Sequence, residues 1–105
     1  MTDLLYLEDS YLREFDARVV LVTPDHGVVL DRTAFYPGGG GQPHDTGELR
    51  AGDRAWRVVS LRRGTEYGQV VHLLEGVPPP AVGTVVHGVL DWERRYRLMR
   101  THTAL

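Results

Sequence analysis

The sequence predicts a mainly β protein, a small antiparallel barrel of five to six strands that ends in the start of an α-helix. Apolar residues alternate with charged ones from Phe15 to Leu21, which is the period-two pattern of a half-buried strand. Turn residues separate the further short apolar runs at close intervals, and no apolar pattern with a helical period occurs before residue 92. Many short strands joined by turns are typical of a small barrel or a curled sheet.

The strands are predicted from apolar runs and from the turns between them. A hairpin is expected over Phe15–Ala34, because Pro24 fixes φ early in the turn and Gly27 tolerates a left-handed exit. The stretch from Gly76 to Pro80 separates later strands, since its consecutive prolines cannot donate to a ladder. The later strands are expected at Ala55–Leu61, Gln69–Leu74 and Thr84–Trp92.

The last residues predict a helix from Glu93 onward, because this stretch has good helix formers and no Gly or Pro. At about 100° per residue, apolar side chains form a wide face, with Arg94 and Arg97 on the opposite side. The pattern has no C-terminal cap, so we expect the helix to continue in a longer protein. We therefore expect a barrel over residues 1–91, with a glycine-rich loop at 37–47. Residues 92–105 would be the start of a helix that leads into a further subdomain. The apolar face consists of Trp92, Tyr96 and Met99 beside Leu98, His102 and Leu105.

Composition excludes several classes of protein. The chain has 105 residues, of which 42 % are hydrophobic and 25 % charged, as in an ordinary globular domain. It has no apolar run of about 18 residues and no signal peptide, so we expect a cytoplasmic protein without a membrane partner. It has no cysteine, which excludes disulfides and thiolate metal sites within the chain. All twelve basic residues are Arg, but Lys, Ile and Asn are all absent, so we interpret the arginines first as a sign of a GC-rich genome.

The densest chemical signal is the glycine-rich segment at residues 31–47. Four consecutive glycines from Gly38 leave the backbone open to close approach and expose N–H groups that can bind an anion or an oxyanion. Composition alone allows a flexible surface loop equally well, and the spacing is not that of a P-loop. The flanking aromatic residues and Asp45 favour a site, in which Gln42 would orient a carbonyl or hydroxyl and Thr33 would bind a small polar group.

No self-contained catalytic centre is predicted. No two of the five histidines lie at i, i+2 or i, i+4, so no local metal pair exists, and His72 and His87 are interpreted as ordinary core or surface histidines. Neither serine has a Gly-x-Ser-x-Gly context. The sequence therefore leaves the catalytic residue unknown.

Three blocks of sequence, in order, resemble the stand-alone alanyl-tRNA editing proteins, which are related to the editing domain of alanyl-tRNA synthetase. The first block runs from Leu5 to Phe15. The second is the run from Leu30 to Pro37 with the following glycines, Gln42 and Asp45-Thr46-Gly47. The third runs from Trp92 to Leu105. Together they cover the chain from end to end.

The resemblance implies a function and a cofactor. The family hydrolyses the ester that joins wrongly attached serine or glycine to tRNA(Ala), using a translation-protein-like N-terminal barrel and a zinc-binding catalytic subdomain. His102 would be the first histidine of the family's His-x-x-x-His zinc pair, a spacing that puts two ligands on one helical face. The second histidine would follow Leu105, and a Cys and a His would come later. We therefore expect zinc in the complete protein, and neither zinc nor activity in this fragment, which lacks the catalytic subdomain.

The resemblance also implies roles for single residues. Thr33 matches the threonine that helps distinguish a serine hydroxyl from an alanine methyl, which is an effective basis for discrimination. Gly39, Gly40, Gly41 and Gln42 match the motif that packs near the zinc pocket, whereas Gly38 stands where the family often has a larger residue. Arg97 and Arg100, with Arg94 and Arg95, are candidates to contact the tRNA(Ala) acceptor end, and a solvated helix face is the equal alternative.

Two further hypotheses stay open. The chain is either a non-catalytic barrel that binds tRNA or a protein partner, or the editing portion of an alanyl-tRNA synthetase, whose other parts would bind ATP. The start of the motif close to Met1 favours the stand-alone editing protein. An uncovered apolar helix face would also predict self-association.

Overall fold

The computed structural model describes residues 3–7, 11–38, 43–66, 68–76 and 78–103, with side chains up to residue 97. Eight strands and one α-helix occur in these ranges, with a short 3₁₀ helix at Leu5–Leu7. Within them, every helix is too short or too polar to span a membrane. The strands are β1 (Asp3–Leu4), β2 (Glu14–Val22), β3 (Gly27–Leu30), β4 (Arg32–Thr33), β5 (Gly47–Ala51), β6 (Arg54–Arg63), β7 (Val70–Glu75) and β8 (Val85–Leu90), and the helix α1 is Trp92–Thr103.

Six strands close into an antiparallel barrel in the order β2-β3-β7-β6-β5-β8. Closure leaves no unpaired edge, because β8 pairs with both β5 and β2. A separate pair forms outside the barrel, where β1 runs parallel to β4. The predicted fold class, a mainly β antiparallel barrel followed by a helix, is confirmed.

Alternation along the strands fills the barrel interior. In β2 the residues Phe15, Ala17 and Val19 are buried while their neighbours are exposed. Phe35, which follows β4, is fully buried and meets the Phe15 ring edge-to-face at 5.7 Å. The remaining core is apolar and comes from the other barrel strands: Val28, Leu30, Leu49, Trp56, Val58, Leu61, Val70, Leu74, Val86 and Leu90.

Strand β5 was not predicted, and the reason lies in its composition. Of its five residues, only Leu49 is a large apolar residue that points inward and is fully buried, so the alternation is too short to detect. Its place in the sheet is set by pairing with β6 and β8 instead of by its own pattern. The predicted hairpin also differs, since it ends at Leu30 and the chain then leaves the barrel for β4.

The first turn differs from the expectation for Gly27. The left-handed residue is His26, with φ of 64°, and not the glycine. Gly27 is required for space, because a Cβ there would lie 2.5 Å from Cγ1 of Val71 and 2.7 Å from Oγ1 of Thr23. The turn is closed by Thr23, whose N–H donates to the Gly27 carbonyl at 2.9 Å.

Candidate functional site

Near its start, the glycine-rich segment passes through the protein core. Thr33, Ala34 and Phe35 have no exposed surface, so the chain enters the loop from the protein core. The short β4 strand ends at Thr33, and the next residues turn inward because the large Phe35 ring fills the space beside Phe15. The loop therefore begins from a fixed position.

Thr33 is part of a directed chain of buried hydrogen bonds. The fully buried His72 ring donates from Nδ1 to the Val28 carbonyl at 2.9 Å, which leaves its Nε2 as an acceptor. The Thr33 hydroxyl lies 2.8 Å from that Nε2 and donates to it. The same hydroxyl accepts the Phe35 N–H at 3.1 Å. Burial lowers the pKa of His72 to about 4, so the ring is neutral at pH 7 and keeps this polarity.

The loop at residues 37–44 is closed at its base by Tyr36 and Asp45. The Asp45 N–H donates to the Tyr36 carbonyl at 2.9 Å, and the Tyr36 N–H donates to the Asp45 carboxylate at 2.8 Å. Arg63 adds a third bond by donating from Nη2 to the Gly38 carbonyl at 2.9 Å. The two ends of the loop are therefore held together however its tip is arranged.

A buried ion pair joins this loop base to the helix. Arg95 of α1 donates to the Asp45 carboxylate from Nη2 at 2.6 Å and from Nε at 3.3 Å. Arg95 and Asp45 are only 6 % and 5 % exposed. Arg95 also donates to the Ala34 carbonyl at 2.9 Å, so it contacts the chain on both sides of the loop. Such a two-point contact between a guanidinium and a carboxylate fixes direction as well as distance.

Three further hydrogen bonds hold the first turn of the helix. Asp91 caps the helix, because its carboxylate accepts the Arg94 N–H at 3.2 Å. The Arg94 guanidinium donates to the His44 carbonyl at 3.1 Å from Nη2. The Asp91 N–H in turn donates to the Thr46 carbonyl at 2.8 Å. The helix thus starts directly against residues 44–46.

The buried role of Arg95 corrects the expectation that it contacts tRNA or solvent with its neighbours. A detectable signal existed, because Arg95 lies three residues after Trp92 and four before Met99, on the predicted apolar stripe. The aromatic residues of that stripe are less buried than expected, and Tyr96 is 46 % exposed. The helix therefore packs through a charged side chain that meets its counter-charge in the loop.

Several predicted site residues lie outside the described residues. These are Gly39, Gly40, Gly41 and Gln42, together with the side chains of Arg100 and His102. Arg97 is described and exposed, with its Nε directed to the Glu93 carbonyl at 3.4 Å. Among the described residues, no group of three His, Cys, Asp or Glu side chains is placed to hold a metal ion.

His87 forms a charged cluster on the outside of the barrel. Its Nε2 lies 2.6 Å from the Glu14 carboxylate and its Nδ1 lies 2.7 Å from the Asp16 carboxylate. The Glu14 carboxylate, and then that of Asp16, accept hydrogen bonds from the His87 ring and raise the pKa of His87 above its ordinary value. The pKa of His72 is therefore lowered, whereas the pKa of His87 is raised.

Comparison with known proteins gives one family and close relatives. The model of the family "tRNA synthetases class II (A)" matches residues 11–94. The chain is 52 % identical over 99 residues to the alanine–tRNA ligase of Pyrobaculum neutrophilum, covering 94 % of this chain and 11 % of that protein. It is 48 % identical over 106 residues to the alanyl-tRNA editing protein AlaX-M of Saccharolobus solfataricus, covering 99 % of this chain and 44 % of that protein.

A third relative is again an alanyl-tRNA editing protein. The alanyl-tRNA editing protein AlaX-M of Methanosarcina acetivorans is 48 % identical over 109 residues, covering 99 % of this chain and 44 % of that protein. The chain thus spans less than half the length of these editing proteins and about a tenth of the ligase. The resemblance to alanyl-tRNA editing proteins is confirmed.

Removing one partner of the buried ion pair should destabilise the whole domain. We expect Asp45→Asn or Arg95→Met to lower the free energy of unfolding by about 3–5 kcal/mol, because each leaves a buried charge without its partner. Urea unfolding measures this change, with Arg97→Gln as an exposed control that should change it by less than about 0.5 kcal/mol. The double variant Asp45→Leu/Arg95→Met should recover part of the loss, and single variants as stable as the control would contradict the assignment.

The two shifted histidines should give a stability maximum near pH 6.5. His72 binds a proton more readily in the unfolded protein than in the folded protein. The free energy of unfolding therefore falls by about 3 kcal/mol as the pH drops from 6.5 to 4. His87 binds a proton more readily in the folded protein, so its contribution to stability is present below pH 6.5 and is lost as the pH rises through its raised pKa.

Urea unfolding across pH measures both slopes. His72→Gln should flatten the acid side and His87→Gln the alkaline side. A profile that keeps both slopes in these variants would contradict the two assignments.

Proposed function

The chain belongs to the family of class II (A) tRNA synthetases, and from this premise we propose that it is the barrel of an editing domain. The longer protein would hydrolyse the ester that joins serine or glycine to tRNA(Ala). The proposal is supported by the names of the relatives, because alanine–tRNA ligases and AlaX-M proteins both align with nearly all of this chain. Both kinds of relative are named for alanine and its tRNA, so the stretch that they share with this chain is expected to act on alanyl-tRNA.

The observation that carries the proposal is the Asp45–Arg95 ion pair. It fixes the base of the glycine-rich loop against α1, the helix in which His102 follows seven residues after Arg95. The loop and the helix would therefore approach the substrate as one unit. A buried pair with two backbone contacts suits that task, because it sets the distance and the angle between two elements that are far apart in sequence.

Thr33 would contribute to selection of the amino acid. Its hydroxyl already donates to His72, so it can offer only a lone pair to a third partner. A serine hydroxyl can donate to that lone pair, whereas the methyl group of alanine cannot. Because Thr33 has no exposed surface in this chain, the contact requires neighbouring groups to shift when the substrate binds. Gln42, and the glycines from Gly39 to Gly41, would line the same pocket.

Zinc is proposed as the cofactor of the longer protein, with His102 as its first ligand and the others supplied by residues outside this chain. A tetrahedral zinc site needs three or four protein ligands, which the described residues lack. When bound, zinc would supply a Lewis acid for the ester hydrolysis.

The partner would be the tRNA acceptor end. The exposed Arg97, with Arg100, would contact phosphates, and the net charge of −2 predicts that such contacts are few. The salt dependence of tRNA binding by the longer protein should accordingly be shallow. The protein would act in the cytoplasm, where aminoacyl-tRNA is used.

The test is to compare the 105-residue chain with a version extended to the stop codon of its reading frame. We expect only the extended version to hold about one zinc per chain by elemental analysis and to release serine from mischarged Ser-tRNA(Ala). If neither version binds zinc or releases serine, the enzyme proposal is wrong and a non-catalytic tRNA-binding barrel becomes the better account.

Within the extended version, Thr33 variants test the selection step. Thr33→Val removes the hydroxyl at nearly constant volume and should reduce the preference for Ser-tRNA(Ala) over Ala-tRNA(Ala) by about tenfold or more. Thr33→Ser keeps the hydroxyl and should retain most of the preference. Equal preferences in both variants, with the same thermal unfolding midpoint, would contradict the role of Thr33.

A further inference from the structure

A cleft of about 470 Å³ lies beside the base of the glycine-rich loop. One wall is formed by the 3₁₀ helix and Tyr36, and the other by the turn between β6 and β7. The cleft is mixed in character, because tyrosine rings and leucines share it with an arginine, a glutamine and a glutamate. Its main lining residues are Leu4, Tyr6, Tyr36, Arg63, Glu66 and Gln69.

The aromatic wall has a fixed geometry. The rings of Tyr6 and Tyr36 meet edge-to-face with centroids 5.4 Å apart. Tyr36 is held through its backbone by Asp45, and the Tyr6 segment is held by pairing of β1 with β4. Because the two rings are inclined at 69°, the face of one and the edge of the other form a preset apolar corner at little entropic cost.

The opposite wall presents an amide. The Gly64 N–H donates to the Gln69 carbonyl at 2.9 Å, and the Gln69 N–H donates to the Glu66 carbonyl at 3.1 Å, which closes a tight turn. The Gln69 side chain folds back over Gly64, where a Cβ would overlap its amide. Gly64 therefore makes room for the Gln69 amide, which carries a donor and an acceptor side by side.

A cation stands at the margin of the cleft, next to the loop. Arg63 donates from one of its five N–H groups to the Gly38 carbonyl, so its guanidinium is tethered between the cleft and the glycines. Glu66 also lines the cleft and opposes the binding of a bare anion. The site thus favours a ligand that combines a flat ring with a phosphate over a phosphate alone.

From these contacts we propose that the cleft binds one unpaired nucleotide of the RNA. The base would stack on the face of one of the two tyrosine rings, and its edge would pair with the Gln69 amide. The phosphate of the nucleotide would contact Arg63. Stacking on aromatic side chains and charge on the backbone are the usual means of holding single-stranded nucleic acid. An amide with a donor and an acceptor matches the N6 and N7 atoms of adenine. The inference rests on the proposed function, because it takes RNA as the partner.

Adenosine 5′-monophosphate is the probe for this site, and ribose 5-phosphate, which has the same phosphate without the base, is its control. Titration of the 105-residue chain, followed by NMR, should show binding of the nucleotide with shifts at Tyr36, Gly64 and Gln69. Ribose 5-phosphate should bind at least about tenfold more weakly, because it lacks the stacking contribution. Equal binding of both ligands, or no binding of the nucleotide, would overturn the proposal.

Variants separate the contributions. Tyr6→Leu should weaken nucleotide binding about tenfold or more, and Tyr6→Phe should restore it. Arg63→Gln should weaken binding several-fold and reduce its salt dependence. Arg62→Gln is the matched control, because Arg62 is the preceding residue of β6 and is turned to Asp25 at 3.3 Å instead. Equal effects of the two arginine variants, or none from Tyr6→Leu in a folded chain, would contradict the site.

Failure of this inference can be told apart from failure of the proposed function. If the extended protein releases serine from Ser-tRNA(Ala) but nucleotide binding ignores the cleft variants, the nucleotide is held elsewhere and only this inference is wrong. If the nucleotide binds the cleft but no serine is released, the nucleotide site stands and the hydrolase proposal is wrong.

Discussion

The architecture depends on one buried ion pair, between Asp45 and Arg95. The six barrel strands pair only with one another, so contacts outside the sheet must fix the position of α1 against the barrel. Here a guanidinium contacts the carboxylate at the end of the loop and the Ala34 carbonyl at its beginning. Desolvating two charges is costly, and the cost is offset only when geometry and hydrogen bonds are complete. Among the described residues, every buried side-chain polar atom has a hydrogen-bond partner.

The polar side chain buried in the barrel core also has its hydrogen bonds satisfied. His72 sits among apolar side chains as a neutral ring with both nitrogens engaged, by Val28 on one side and Thr33 on the other. The His72 ring also packs edge-to-face against the Phe35 ring, with centroids 5.5 Å apart. His72, which orients the Thr33 hydroxyl, therefore also contacts the aromatic ring that fills the core. The Thr33–His72 hydrogen bond therefore lies near the start of the glycine-rich segment, and the Asp45–Arg95 ion pair lies near its end.

The sequence predicts the parts whose cause is local. Alternation in β2, the apolar run of β7 and the helix formers after Trp92 each depend on neighbouring residues, and those elements were located to within a few residues. Strand β5 has a single large inward apolar residue and is held in place by pairing with β6 and β8, so no local sequence pattern predicts it. The Asp45–Arg95 pair joins residues fifty positions apart. Only the spacing of Arg95 within the apolar stripe hints at its burial.

NMR of the arginine side chains in the 105-residue chain tests directly whether the Asp45–Arg95 pair fixes α1. We expect the Arg95 guanidinium to give resolved Nη–H signals that exchange slowly with water at neutral pH, since its rotation is hindered by Asp45 and Ala34. The exposed Arg57 of β6 should give averaged, rapidly exchanging signals in the same spectrum and serves as the internal reference. If the Arg95 signals are averaged like those of Arg57, the helix is not fixed to the loop by this ion pair.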